Sequence, residues 1–340
     1  MQLSNGLLRI VTLSTLTLFH SVAYAQLSDT CSNPTVRREW RQLSDAEKQD
    51  FHQANLCLRG LPKQRYPDQD EVVNRLDDLT WTHFIAGNER QIHYVAHFLP
   101  WHRLFVDEHE KMLRSECGYQ GTYPYWDWSI DADANNVANS PIWDPVTGFG
   151  GNGHAVSGAP EGFRRCILDG PYANLTFTIG SPPESRDDEN MPHCLNRDFT
   201  NFQRDPATGE AVVGDMNHNA YTSRVVASVS RANDYANFAP MLESGPHDAV
   251  HNSVNGEMAA YNAPNDIMFY MHHANVDRIW TQWQEANAAR LSDYGGFRDQ
   301  SRTQQASIDD ELPVYSLFDR QPLVRDYMNT RGGALCYVYN

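Results

Sequence analysis

The chain has 340 residues, 41% hydrophobic and 21% charged, with 27 Lys+Arg against 43 Asp+Glu and a formal charge of −16. A mean hydropathy of −0.59, with a single apolar run confined to the N-terminus, excludes a multi-span membrane protein. Lys48, Lys63 and Lys111 are the only lysines and no basic tract exists, which argues against nucleic acid or an anionic membrane surface as a partner.

Residues 1–25 read as a secretory signal peptide. Arg9 precedes the apolar stretch Ile10 to Phe19, and Ala23-Tyr24-Ala25 is an A-x-A cleavage site. The stretch is too short to span a bilayer, so the mature chain is expected to begin near Gln26 and to be secreted.

The first helical block runs from Ser44 to Cys117. Ser44-Asp45-Ala46-Glu47 resembles a capping box opening a helix through Cys57. Val73, Leu76, Leu79, Trp81 and Phe84 give Asp70 to Ala86 helical spacing, with Gly87 as its stop. Pro100 opens a further helix, Trp101 to Arg114.

Between Asp131 and Asn219 periodicity fades into Gly, Pro, Asn and Asp, including Phe149-Gly150-Gly151-Asn152-Gly153 and Ser181-Pro182-Pro183. A loop of this length inside one domain needs a function or a covalent pin. Asn174-Leu175-Thr176 in this region is a glycosylation sequon. The second helical block, Ser244 to Arg290, contains a helix starting at Asn265-Asp266 with Ile267, Phe269, Met271, Val276, Ile279, Trp280 and Trp283 on a broad apolar face. No linker separates two cores, so residues 26–340 are expected to form one domain.

Cys31, Cys57, Cys117, Cys166, Cys194 and Cys336 make an even set without a CxxC pair, as expected of three disulfides in a secreted protein. Their connectivity is left open by the sequence.

The histidines carry the chemistry. His83, His93, His97, His102 and His109 lie in the first block, and His247, His251, His272 and His273 in the second. One buried histidine is commonly a packed core residue, but nine in two helical clusters point to metal. His247 and His251 are four apart, so on a helix their Cβ atoms lie roughly 6 Å apart on one face and chelate one ion. The third ligand is expected from His272-His273. Neighbours on a helix point about 100° apart, so only one faces the ion. Asp277 shares a face with His273 alone and is positioned to orient its ring, which favours His273 over His272. In the first group His83, His93 and His102 are candidates, His97 rivals His93 on spacing, and His109 reads as core packing. All-imidazole sites suit copper or zinc. His247-Asp248-Ala249-Val250-His251 departs from the zinc-hydrolase motif H-E-x-x-H by Asp for Glu, and a zinc hydrolase leaves the first group unemployed.

Phe98-Leu99-Pro100-Trp101-His102-Arg103 and Pro264-Asn265-Asp266 followed by Phe269 to Trp280 resemble the two copper motifs of the type 3 dicopper proteins: tyrosinases, catechol oxidases and haemocyanins. Tyr123 to Trp128, Val36 to Arg41 and Tyr337-Val338-Tyr339 resemble further segments of that family, so the likeness spans the mature chain. The resemblance implies two copper ions, one held by His83, His93 and His102 and one by His247, His251 and His273, with His272 beside the site. Gln91 stands where some members carry a thioether-forming cysteine. The chain stops one residue after Tyr339, so no C-terminal shielding domain is expected.

The fold expected is mainly α, an antiparallel four-helix bundle with inward-pointing ligands, long irregular loops and few short strands. The implied activity is oxidation of o-diphenols to o-quinones by O2 with small phenols as substrates. Alternatives are a tyrosinase with strong monophenol hydroxylation and a haemocyanin-like O2 carrier. In members of that family the residue thirteen before the last histidine often overhangs the site; the resemblance puts Ala260 there, and its small side chain favours an open, enzymatic pocket. Glu243 and Asp248 match the two places of a proton-handling pair, with Asp in place of the family's Asn. Strong diphenol oxidation with weak monophenol hydroxylation is therefore expected.

Overall fold

The computed structural model describes residues 31–155, 165–180, 192–204, 211–213 and 216–340. The expected signal peptide and Ser181-Pro182-Pro183 lie outside these residues. The helices are α1 (Asp45–Gly60), α2 (Arg75–Asn88), α3 (Phe98–Cys117), α4 (Trp128–Asp133), α5 (Ser223–Val229), α6 (Tyr235–Leu242), α7 (Asp248–Val254) and α8 (Met268–Glu285). Strands are short: β1 (Thr35–Glu39), β2 (Pro124–Tyr125), β3 (His154–Ala155), β4 (Arg165–Cys166), β5 (Thr176–Phe177), β6 (His193–Cys194), β7 (Thr200–Arg204), β8 (Ala211–Val213) and β9 (Tyr337–Tyr339). The chain is thus mainly helical with long irregular connections, as expected.

Side-chain caps set five of the eight helix starts described. Ser44 Oγ accepts the Glu47 amide at 3.3 Å and Glu47 Oε2 accepts the Ser44 amide at 2.7 Å, the capping box read from the sequence. A second box sets α2 five residues later than the apolar spacing suggests. Asn74 Oδ1 accepts the amides of Leu76 and Asp77, and Asp77 Oδ2 returns to the Asn74 amide, so the helix begins at Arg75 rather than Asp70. Gly87 is not its stop, because α2 continues through Asn88. A Cβ there would come within 2.5 Å of the Tyr261 ring, so glycine serves close approach instead. At the end of α3, Gly118 takes the left-handed conformation (φ 69°) typical of a C-terminal cap. The helix expected from Asn265 starts at Met268, after a 3-10 turn over Ala263–Asn265.

The best-packed helix contacts are α3 on α8, α1 on α3 and α1 on α2. His102 stacks on His273 while His109 stacks on Tyr270, so α3 and α8 run antiparallel. Buried apolar side chains form one large cluster, with a small satellite of Tyr66, Val72 and Ile179. Among the described residues no helix is long and apolar enough to cross a membrane.

Three disulfides join the six cysteines as Cys31–Cys336, Cys57–Cys117 and Cys166–Cys194, and no cysteine is free. The first lies beside the parallel sheet β2-β1-β9, which brings the two ends of the described chain together. The second ties α1 to the end of α3. The third links the β3-β4 and β5-β6 ribbons, so the irregular middle region is pinned as expected. Its glycine-rich turn wraps Arg197, whose guanidinium donates to the carbonyls of Phe149 and Gly150 and pairs with Asp266 at 2.7 Å. Asp266 Oδ1 also accepts the Met268 amide, so one carboxylate couples this loop to the start of α8. Asn174 is exposed at a left-handed turn position (φ 63°), open to modification.

Candidate metal centre

Three elements supply the first histidine group: α2 carries His83, the α2–α3 connection His93, and α3 His102. One ring nitrogen from each lies within 4.8 Å of the others. His83 Nδ1 donates to the Tyr261 carbonyl at 2.7 Å, and His102 Nδ1 donates to the Phe98 carbonyl at 2.8 Å, one turn back in its own helix. A backbone acceptor fixes the Nδ1–H tautomer and leaves Nε2 with its lone pair. The Nε2 atoms of His83 and His102 are buried with no protein partner.

His93 is placed by its loop rather than by a helix. Gln300 Nε2 donates to the His93 carbonyl at 3.0 Å, the Ala96 amide donates to Phe297 at 2.7 Å, and Tyr94 adopts φ 56°. His97, the rival on spacing, is buried apart from this group, with Nε2 3.5 Å from Asp310 Oδ2. His109 is a core residue: Nδ1 meets the Tyr123 hydroxyl at 2.7 Å and Nε2 meets Asn55 Oδ1 at 2.9 Å.

In the second group a π-helical turn, Glu243–His247, kinked at Gly245, leads into α7. His247 and His251 share a face, with ring centroids 4.5 Å apart. His247 Nδ1 lies 3.2 Å from the Glu243 carbonyl and 3.0 Å from Asp248 Oδ1, and His251 Nδ1 donates to the Met258 carbonyl at 2.5 Å. His247 Nε2 is buried without a partner, and His251 Nε2 faces His273 Nε2 at 3.2 Å.

Two expectations are corrected here. His272 does not point away from the centre, since its ring lies 5.2 Å from His247 and 4.7 Å from His251, and neither of its nitrogens has a partner. The α7 rings sit about equally far from both members of the pair, so the angular separation on α8 does not exclude either. Asp277 does not orient His273. Its carboxylate is taken by Arg37, Arg103, Tyr337 and Tyr339, while His273 Nδ1 has no partner. The four donors come from β1, α3 and β9, which close over that helix edge.

The two groups form one centre. His102 and His273 stack at 4.2 Å with their planes 9° apart, and Phe98 and Phe269 pack against rings of both groups. Burial pushes the imidazolium form out: His83 is lowered to about 4, and His93, His102, His251, His272 and His273 are all held well below the ordinary value. Crowding by the other rings adds to the effect. Imidazoles with unspent nitrogens in a largely buried layer fit metal binding, with no thiolate or carboxylate in either histidine group. A one-ion hydrolase would leave His83, His93 and His102 idle although His93 and His102 stack on rings of the second group.

Over this layer opens a cavity of about 420 Å³, lined by His83, His93, His247 and His251 together with Tyr94, Asp248, Asn252, Ala260 and Tyr261. Ala260 is exposed at this opening, as its small side chain suggests. Asp248 Oδ2 accepts from the Tyr94 hydroxyl at 2.9 Å, so Asp248 lines the pocket rather than facing solvent alone. Glu243 does not line it. Its side chain is buried behind Tyr94, with Oε1 accepting the Tyr94 amide at 2.7 Å, and burial raises its carboxyl well above the usual range. Tyr94 and Tyr261 have no signal of their own in the sequence. Their neighbours His93 and Ala260 mark the site, and only the fold turns these rings into its walls.

The chain matches the family model described as the common central domain of tyrosinase over residues 73–286. It is 37% identical over 331 residues to a tyrosinase-like protein, phomQ1, of Diaporthe leptostromiformis, covering 95% of this chain and 82% of that one. It is 37% identical to the tyrosinase ustQ of Aspergillus flavus over 97% of this chain and 86% of that one. A mutant polyphenol oxidase from Thermothelomyces thermophila superposes with a TM-score of 0.75 at 28% identity, covering 90% of this chain and 89% of that one. The tyrosinase of Burkholderia thailandensis shares the fold, with a TM-score of 0.58 at 16% identity over 90% of this chain and 74% of that one.

Proposed function

On the premise that this chain belongs to the tyrosinase family, we propose that it is a secreted polyphenol oxidase that converts o-diphenols to o-quinones with O2. In this reading residues 1–25 direct export and 26–340 form one catalytic domain. His83, His93 and His102 hold one copper ion and His247, His251 and His273 the other, with His272 packed beside them. The observation that carries the reading is the set of buried ring nitrogens left unspent beneath an open pocket. Copper, when bound, supplies the exchange of electrons between O2 and the phenol.

The protein's own contribution is orientation and proton handling. Backbone carbonyls of Phe98, Met258 and Tyr261 hold three imidazoles in one tautomer. The Tyr94 and Tyr261 rings frame a slot for a flat phenol, and Ala260 leaves it uncovered. That openness favours an enzyme over an O2 carrier, which needs its metal shielded. Asp248 lines the pocket and takes the phenol proton, with Glu243 supporting it through Tyr94. An acid in place of an amide at 248 lacks a donor for positioning water, so hydroxylation of monophenols is the weaker activity.

Initial rates on a matched monophenol and diphenol, at measured copper content, test this. Diphenol turnover with a lag-prone monophenol rate is expected. Asp248→Asn should raise the monophenol-to-diphenol ratio and Glu243→Gln should lower it. Absence of turnover of 4-tert-butylcatechol by protein carrying two copper ions overturns the oxidase reading.

A further inference from the structure

A second cavity of about 500 Å³ lies on the other side of Tyr94. Tyr94 lines both cavities, and Glu243 forms part of the second one's inner wall. The remaining wall is largely apolar, built from Val95, Ala96, Ala239, Pro240, Met241 and Phe297. Its polar groups are mostly spent. The Tyr235 hydroxyl donates to the Ala96 carbonyl at 2.6 Å, Ser244 Oγ to Pro240 at 2.7 Å, and Glu243 Oε1 holds the Tyr94 amide.

Two features make this a receptive space rather than a packing fault. Gly295 lines it, and a Cβ built there meets nothing within 4 Å, so no steric demand explains the missing side chain. Arg302 stands exposed in its lining, at φ 57°. Arg298 pairs with Asp310 at 3.6 Å, whereas Arg302 makes no ion pair among the described residues. Tyr94 and Arg302 are both bulky residues held in the left-handed region, a conformation that persists only where surrounding structure enforces it. An apolar chamber with one unspent cation matches an apolar arm ending in an anion.

We propose that this cavity is a subsite for the non-reacting arm of an extended phenolic substrate, an apolar chain or ring bearing a carboxylate, whose phenol occupies the neighbouring metal pocket. The arm passes over the exposed Tyr94 ring, buries its apolar part against Val95, Pro240 and Phe297, and sets its carboxylate at Arg302. This rests on the phenol-oxidase reading of the first pocket.

Gly295→Phe fills the chamber without touching the metal centre. It should raise KM for a catechol bearing an alkyl carboxylate chain roughly tenfold, as expected from losing burial of about two methylene groups, while catechol itself keeps its KM. Arg302→Gln should raise KM for the same acid and leave its methyl ester unchanged. Calorimetric titration with octanoate should show binding to the parent protein that Gly295→Phe abolishes, a readout independent of turnover. Equal changes for catechol and the acid, or no change for either, overturn the proposal. If catechol is not oxidised at full copper loading but octanoate binding still vanishes in Gly295→Phe, the oxidase reading fails and the anionic-arm site stands.

Discussion

Two buried polar regions meet along α8, and they are finished in opposite ways. Around Asp277 the protein completes its own chemistry: Tyr337 and Tyr339 each donate to Oδ2 at 2.6 Å, and the guanidinium groups of Arg37 and Arg103 close the remaining sides. One turn earlier, the histidine layer is left incomplete. His83, His102 and His247 each spend one nitrogen on the protein and leave the other buried and unpaired. An unpaired buried polar group costs about 1–3 kcal/mol, so a layer of them persists only where an outside partner repays it. Burial marks both regions equally. The unspent valence distinguishes a binding centre from a structural hub.

The largest effect should come from removing a nitrogen of the incomplete layer. His102→Ala and His93→Ala are each expected to leave one copper ion per chain instead of two, with diphenol oxidation reduced to background. His97→Ala should keep both ions. Elemental analysis of folded protein checks this, and loss of copper from His97→Ala alone would reverse the assignment in the first group.

Breaking the complete region should instead cost stability. Asp277→Ala leaves Arg37 and Arg103 buried with their shared anion gone, and about 3–5 kcal/mol of unfolding free energy is expected to be lost. Denaturant titration measures it. Activity per copper-loaded folded molecule should change far less than in His102→Ala.

His109 sharpens the contrast, because it lies on the same helix as His102 but has both nitrogens satisfied. His109→Leu should lose about 1–3 kcal/mol for each partner left unpaired, Tyr123 and Asn55, with copper content unchanged.

The smallest effect is a slope with pH. Burial lowers His109 to about 3, against about 6.5 in the unfolded chain. The folded value is depressed, so its contribution is full above pH 6.5. It declines as the unfolded state takes up the proton, by about 1.4 kcal/mol per pH unit between 6.5 and 3. His109→Leu should show a shallower acid limb than the parent in a stability titration over that window. Identical limbs would mean that the ring is not held neutral.

Much of this was legible from local patterns. The Ser44–Glu47 box, the four-residue step from His247 to His251 and the even cysteine count each express a rule acting within a few residues or on the whole composition. For that reason α1, the α7 pair and the three disulfides match expectation. The family likeness of the motifs around His102 and His273 reached further, naming both histidine groups before any geometry. Misreadings fell where a nearby competitor settled the outcome. Asn74 and Asp77 outbid the apolar spacing for the start of α2, and Gly87 answered to the Tyr261 ring rather than to the helix end.

What residue types and spacing determined was the inventory: a mainly helical chain, two sets of imidazoles, six cysteines destined to pair, and a small residue at 260. What only the tertiary structure decided was where each spare valence goes. Asp277 lies one helical turn from His273, yet β1, α3 and β9, distant in sequence, claim its carboxylate. His93 rather than His97 comes together with His83 and His102 where Gln300 and Phe297, some two hundred residues away, hold its loop. Tyr94 becomes a wall shared by two cavities because Glu243 and Asp248 fasten its two ends. Spacing reports which side chains share a face of one element. Hydrogen-bond partners across elements depend on how those elements pack, and that information is spread over the whole chain.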